Sequence, residues 1–209
     1  MIGILGGTFD PVHFGHLRSA LEIQQSLGLD EVRLVPAHAP PHRPQPLASP
    51  QQRVEMLQAA IADTPTLSID TREFERSGPS YTLDTLVSLR DEFPGTGLCL
   101  LVGMDAFRGF SSWHRWREIT EYAHVIVMTR PGVTAPEQKD LTDFIALHRV
   151  MDSDKLAEQN AGLLLYHAVS QLDISATHIR KLLASGQRAD YLLPGRVLGV
   201  IKSNMNYVE

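Results

Sequence analysis

The chain has 209 residues, 43% of them hydrophobic and 21% charged, ordinary values for one soluble α/β domain of generous size. A chain of that length buries roughly 70% of its unfolded surface, so it needs no disulfide or structural metal, and its single cysteine, Cys99, excludes an internal disulfide. The net charge of −5 argues against a nucleic-acid backbone as main partner. With no signal-peptide pattern and no apolar run long enough to span a bilayer, a cytoplasmic protein without a membrane segment is expected.

Short apolar segments alternate with amphipathic ones along the chain. Ile2–Gly6 reads as a fully buried strand, and His16–Gly28 as a helix with Leu17, Ala20, Leu21 and Leu27 at helical spacing, closed by Gly28. Glu31–Val35 is a second strand. Ser49-Pro50 is a helix start, a capping serine followed by proline at the first helical position, and leads into Val54, Leu57 and Ile61 on one face. Thr66–Thr71 reads as a strand, Ser80–Phe93 as a helix, Leu98–Val102 and Val125–Thr129 as strands, with Trp113–Tyr122 helical between them. Cys99 falls within the fourth strand, where a buried thiol is expected. One or two peripheral helices are expected between Pro131 and about Asn160, then a strand at Leu163–Ala168 and helices at Ser175–Ser185 and Pro194–Asn204. Strands separated by helices of this length imply right-handed crossovers and a doubly wound parallel sheet. The ligand then sits at the carboxyl ends of the strands, and the residues just after each strand carry the function.

The first strand runs into Gly6-Gly7-Thr8-Phe9-Asp10-Pro11-Val12-His13-Phe14-Gly15-His16. Paired glycines let the backbone approach a ligand closely, and the helix beyond offers unpaired N–H groups to phosphate. The spacing is neither the Gly-x-Gly-x-x-Gly dinucleotide fingerprint nor a Walker loop. His13 and His16 can face one anion as the chain enters the helix, and a pair of helix-capping histidines in a tight turn is an equal reading. A zinc site lacks a completing cysteine or second ligand pair. After the second strand, the prolines of Pro36-Ala37-His38-Ala39-Pro40-Pro41-His42-Arg43 would hold His42 and Arg43 at the sheet edge, unless the loop is simply exposed. Ser80-Tyr81-Thr82 stands at a helix start, where its hydroxyls can serve as caps. Val102-Gly103-Met104-Asp105 follows a strand, where a carboxylate can accept ribose hydroxyls, and Trp113-His114-Arg115-Trp116 offers one tryptophan for stacking and one for the core. In Asp173-Ile174-Ser175-Ala176-Thr177-His178-Ile179-Arg180, Ser175 is a natural N-cap, and Thr177 and Arg180 would lie one turn apart near the positive end of a helix dipole, suited to phosphate.

Together these motifs resemble those of the bacterial nicotinate-mononucleotide adenylyltransferases, within the nucleotidyltransferase superfamily. The superfamily resemblance rests on Gly7-Thr8-Phe9-Asp10-Pro11, His13-x-Gly15-His16 and Ile174-Ser175-x-Thr177-x-Ile179-Arg180. The narrower one rests on Pro40-Pro41-His42, Ser80-Tyr81-Thr82, Gly103-x-Asp105 and the tryptophan segment, in the expected order from Met1 to about Leu183. Phosphopantetheine and cytidylyl transferases share the first loop but lack the Ser-Tyr-Thr and tryptophan segments. A non-catalytic nucleotide-binding or sensor protein on this scaffold would be favoured if His13 or His16 were missing, and both are present. Two positions depart from the pattern: Arg43 stands where the family has lysine, and Ala176 where it has a second hydroxyl.

The resemblance implies a Rossmann-like nucleotidyltransferase fold with C-terminal helices, in one domain over residues 1–209. About 1–170 would form the core and about 171–209 a helical part completing the ATP site. It implies transfer of the adenylyl group of ATP to nicotinate mononucleotide in NAD biosynthesis, with release of pyrophosphate. His13, His16 and Arg180 are implied as catalytic. Gly6, Gly7, Thr8, Phe9, Gly103, Asp105, Ile174, Ser175 and Thr177 join them at ATP. His42, Arg43, Thr82, Asp105, Trp113, the backbone at His114 and Arg130 are implied for the mononucleotide. Mg2+ would be bound mainly through ATP phosphates. Neither nucleic acid nor membrane is an expected partner, and no oligomeric state follows from the letters.

Overall fold

The computed structural model describes residues 1–40, 44–129, 136–170, 172–204 and 207. Among them seven strands form one sheet: β1 (Ile2–Gly7), β2 (Glu31–Pro36), β3 (Leu67–Ile69), β4 (Leu98–Gly103), β5 (His124–Thr129), β6 (Arg149–Val150) and β7 (Leu164–Ala168). They lie in the order β3-β2-β1-β4-β5-β7-β6, and every pairing is parallel. The order reverses at β1, with β2 and β3 added on one side and β4 and β5 on the other. The crevice beyond the carboxyl ends of β1 and β4 is therefore the topological switch point, the ligand position in open α/β sheets.

Alternation along the strands builds two cores, one on each face of the sheet. Leu5, Cys99, Leu101, Ile126 and Met128 pack with Ala20 and Ile23 of α1 (Phe14–Ser26), Met56 and Leu57 of α2 (Pro50–Ile61), Ile179 of α7 (Ala176–Ala184) and Val197 and Ile201 of α8 (Gly195–Asn204). Ile4, Leu98, Leu100, Val102, Val125 and Val127 face the other way, onto α3 (Thr82–Glu92), α4 (Met104–Phe107), α5 (Ile119–Tyr122) and α6 (Lys139–His148). Strands covered on both sides need near-continuous apolar runs, which is what Leu98–Val102 and Val125–Met128 supply. Burial pushes the Cys99 thiol up to about 12, so it packs as an inert apolar group.

The expected helix starts and stops are largely present. Ser49 Oγ accepts the Gln52 N–H at 3.3 Å while Gln52 Oε1 accepts the Ser49 N–H at 2.8 Å, a reciprocal cap with Pro50 at the first position. Gly28, at φ +61°, takes the chain out of α1 in the left-handed region.

Three stretches differ from expectation. Trp113–Tyr122 is not one helix: a 3-10 turn at Phe110–Ser112, an extended Trp113, a left-handed Arg115 (φ +50°), a second 3-10 turn at Trp116–Glu118 and α5 replace it. Packing decides this, because the Trp116 ring is held against Phe110 and Phe144 at 5.9 and 5.0 Å between centroids, overriding a local helical pattern. Between Pro131 and Asn160 the described residues contain α6 and a 3-10 segment at Ser153–Glu158, and also the two-residue strand β6, too short to leave a periodic signal. The third strand is confined to Leu67–Ile69, within the broader span expected. No helix of the described residues is long and apolar enough to cross a membrane.

Candidate active site

At the switch point β1 ends in Gly6 and Gly7. An added Cβ at Gly7 would meet the Phe9 ring at 2.9 Å, so a larger residue there would have to displace that buried ring, whereas Gly6 is open on its exposed side. Phe9 itself is buried, with φ +50°, and what it can offer a ligand is backbone. His13 then precedes α1, and His16 lies in its first turn. Their rings stack at 3.7 Å between centroids. His16 Nδ1 accepts the backbone N–H of His13 at 3.3 Å, which places the proton of a neutral His16 ring on Nε2 and makes that nitrogen a donor. His13 is buried, its Nδ1 has no hydrogen-bond partner among the described residues, and burial lowers its pKa to about 4, so the resting ring is neutral. Gly15 lets the pair pack this way: a Cβ there would touch His13 Nδ1 and Cε1 at 3.0 Å and approach the Ile174 carbonyl oxygen at 3.5 Å. The entry of α1 therefore lies beside the entry of α7.

At that entry Ser175 Oγ accepts the His178 N–H at 3.2 Å, as the sequence suggested. Arg180 turns back toward the first loop, donating from Nη1 to the Asp10 main-chain oxygen at 2.6 Å and from Nη2 to Thr177 Oγ1 at 3.3 Å. The residues from the two ends of the chain are thus one cluster, with two helix N-termini, two imidazoles and one guanidinium. Every one of those groups suits an anion.

The loop after β2 is fastened on both sides. Ala37 N–H donates to the Gly7 carbonyl at 2.9 Å. Arg53 of α2, although almost fully buried, donates from Nη1 to the carbonyls of Thr8 at 3.1 Å and Ala37 at 2.6 Å, locking the first two loops together. Ser80 Oγ accepts the backbone N–H groups of His38 and Ala39 at 2.8 and 3.0 Å. Its role is thus to join loops, and it does not cap α3. His42 and Arg43, which the sequence placed on this loop, lie outside the described residues, as does Arg130 beyond β5.

Thr82 is the first residue of α3, and Tyr81 before it stacks on the His114 ring at 4.2 Å, so the segments carrying Thr82 and His114 meet. Trp116 is core. Trp113 is half-buried and tilted against Phe110 at 5.1 Å. Gly103 ends β4, and Asp105 is exposed and pairs at the surface with Arg108 at 3.0 Å, a contact of small net worth. Among the described residues no group of three or more His, Cys, Asp or Glu side chains is disposed to hold a metal ion.

Four residues of this cluster went unassigned in the sequence. Asp10 is buried, and its carboxylate accepts the N–H groups of Leu47 at 2.8 Å and Ala48 at 3.2 Å and the Tyr207 hydroxyl at 2.5 Å. Arg53 could have been noticed as a charged letter one turn before Met56 and Leu57 on the apolar face of its helix. Tyr81 stood in a quoted motif with no partner to suggest stacking. Tyr207 carries no local signal at all.

The cytidylyltransferase-like family model matches residues 4–182. A protein of Methylococcus capsulatus named as a probable nicotinate-nucleotide adenylyltransferase is 47% identical over 210 residues, covering 100% of both chains. One of the same name from Halorhodospira halophila is 48% identical over 196 residues, 94% of this chain and 90% of that one. Among solved structures, the nicotinic acid mononucleotide adenylyltransferase of Plasmodium falciparum complexed with NaAD matches with a TM-score of 0.72 and 17% identity, covering 99% of this chain and 96% of that one; at this identity the likeness speaks for the fold.

Proposed function

This chain belongs to the nicotinate-nucleotide adenylyltransferase family, and from that membership and the crevice geometry we propose that it transfers the adenylyl group of ATP to nicotinate mononucleotide, giving nicotinate adenine dinucleotide and pyrophosphate. The enzyme is a nucleotidyltransferase of NAD biosynthesis. The observation that carries the site reading is the convergence of His13, His16 and Arg180 from opposite ends of the chain on one crevice at the switch point.

An oxygen of the mononucleotide 5′-phosphate attacks the α-phosphorus of ATP, and the bond from that phosphorus to the β-phosphate oxygen breaks. The phosphate nucleophile has a second pKa near 6 and is largely ionised at neutral pH, so no protein base is required. The chain's task is alignment and stabilisation of the charge passing to the leaving pyrophosphate. His16 Nε2–H donates to the α- and β-phosphates together with the α1 N-terminus, and His13 joins it through its unpartnered nitrogen. Arg180 and Thr177 grip the β- and γ-phosphates, with Ser175 and Ile174 shaping that entry. Gly6, Gly7, Thr8, Phe9 and Gly103 supply backbone edges to ATP, and Asp105 accepts ribose hydroxyls. Thr82 and the His114 backbone take the nicotinate carboxylate, Trp113 stacks on the pyridine ring, and His42, Arg43 and Arg130 meet the mononucleotide phosphate. One domain spans residues 1–209, with α7 and α8 completing the ATP site. The donors of this crevice suit anions, so Mg2+ would be bound mainly through the ATP phosphates, where it would neutralise charge on the departing pyrophosphate. The protein works in the cytoplasm, without nucleic-acid or membrane partners.

The test offers ATP and Mg2+ with nicotinate mononucleotide, nicotinamide mononucleotide, phosphopantetheine or buffer, and measures pyrophosphate release. Release strongest with nicotinate mononucleotide is the expected result. Preference for another acceptor would overturn the substrate assignment.

A further inference from the structure

The Asp10 carboxylate sits at the centre of the first loop with its acceptor capacity divided. Oδ2 takes the Leu47 N–H at 2.8 Å, and Oδ1 takes both the Ala48 N–H at 3.2 Å and the Tyr207 hydroxyl at 2.5 Å. Arg180 is close by, yet it hydrogen-bonds the main-chain oxygen of Asp10 at 2.6 Å while its Nη1 stays 3.9 Å from Oδ2. A buried carboxylate beside an arginine normally closes into a short, often bidentate pair. Here it does not: the Ala48 N–H and the Tyr207 hydroxyl anchor Oδ1, and the carboxylate they hold keeps Oδ2 at 3.9 Å from the guanidinium. The Tyr207 ring is buried in the core formed with α2 and α8, its oxygen also lies 3.9 Å from Met56 Sδ, and Arg53 is the other cation near the pair. Burial and the Asp10 carboxylate push the Tyr207 phenol well above its ordinary pKa, so it remains a donor at any working pH.

We propose that Tyr207 is a positioning residue for ATP: by anchoring Asp10 Oδ1 it fixes the orientation of the carboxylate with Oδ2 out of hydrogen-bond reach of Arg180, so that the guanidinium remains available to the outer phosphates. Arg180 thereby rests on a neutral carbonyl, from which triphosphate can draw it, and not on a buried counter-charge. The inference rests on the proposed contact of Arg180 with ATP. Removing the hydroxyl frees the carboxylate to turn, Arg180 closes the gap to Oδ2, and ATP must compete with Asp10 for the same cation. The loss is specific to ATP, because no mononucleotide group in the proposed site depends on Arg180.

Tyr207→Phe keeps the ring and removes only the donor. Steady-state constants and thermal midpoints are measured for the native enzyme, Tyr207→Phe, Arg180→Ala and the double variant. The KM for ATP is expected to rise about tenfold in Tyr207→Phe, the equivalent of one charge-assisted hydrogen bond, with the KM for nicotinate mononucleotide unchanged within about twofold. In the Arg180→Ala background the same substitution is expected to add nothing to the KM for ATP. A Tyr207→Phe enzyme with a lowered midpoint but native KM for ATP overturns the inference, since a purely structural tyrosine gives that result. So does an equal effect of Tyr207→Phe with and without Arg180. A native KM for ATP in Arg180→Ala overturns the phosphate role of Arg180 itself, a failure distinguishable from the other two.

Discussion

Ser80 Oγ receives the backbone N–H groups of both His38 and its neighbour Ala39, at 2.8 and 3.0 Å, and so ties the loop after β2 to the approach of α3. The two segments it joins lead in sequence to residues proposed for the mononucleotide, and Ser80 fixes where the described parts of those segments meet. Two hydrogen bonds at about 0.5–1.5 kcal/mol each are at stake. Ser80→Ala is expected to raise the KM for nicotinate mononucleotide about tenfold while changing the KM for ATP little, and Ser80→Thr, which keeps the hydroxyl, to restore most of the loss. Equal effects on both substrates would show that the clamp serves the fold as a whole.

The two tryptophans divide cleanly by burial. Trp116 is core, packed against Phe110 and Phe144, and Trp116→Ala is expected to cost about 3–5 kcal/mol and lower the thermal midpoint by about 10 °C or more. Trp113 is half-buried, and stacking on the pyridine ring is worth about 1–3 kcal/mol. Trp113→Ala is therefore expected to raise the mononucleotide KM many-fold with only a small change in midpoint. The reverse assignment would be shown by a stable Trp116→Ala enzyme that binds the mononucleotide poorly.

His13 gives the protein a sensitivity to acid. Its pKa falls from an ordinary 6.5 in the unfolded chain to about 4 in the fold because burial disfavours the charged ring. Between those values the unfolded state binds more protons, so stability rises with pH there; the contribution is complete above 6.5 and is lost as pH falls toward 4. His124 and His167, lowered by burial too, add with the same sign. Thermal midpoints measured from pH 7.5 down to 4.5 are expected to fall less steeply in His13→Gln than in the native protein. Parallel curves for the two would contradict the burial of a neutral His13.

Loss of His16 separates catalysis from helix capping. Its Nδ1 accepts the His13 N–H, a modest structural contact, while Nε2 is the proposed donor to charge that grows during transfer. His16→Ala is expected to lower kcat by about 10²–10³-fold, as for one preorganised donor, with a stability change of at most about 1 kcal/mol. A variant that is destabilised yet turns over normally would leave His16 with capping alone.

The sheet was legible in the sequence because parallel strands covered on both faces leave continuous apolar runs, as at Leu98–Val102, and because Ser49-Pro50 and Gly28 punctuate helices by local chemistry. The cluster of Gly7, His13, Gly15, His16, Thr177 and Arg180 was legible for a similar reason: they lie at loop-to-helix entries whose spacing is local. The segment from Trp113 to Tyr122 misled because its helical periodicity is overridden by the aromatic packing of Trp116 with Phe110 and Phe144. What stayed hidden depends on contacts between distant parts of the chain. The hold of Arg53 on Thr8 and Ala37, the clamp of Ser80 on His38 and the bond from Tyr207 to Asp10 each join segments that no local pattern connects.

Central to the account is attack of the mononucleotide phosphate on the α-phosphorus of ATP, with pyrophosphate leaving as one unit. The direct measurement uses ATP carrying a radioactive phosphorus at either the α or the γ position, with nicotinate mononucleotide and Mg2+, and follows where the label goes. The account predicts α-label only in the dinucleotide product and γ-label only in pyrophosphate, in equal amounts. Label from the γ position in the mononucleotide product, or its release as orthophosphate, would contradict it.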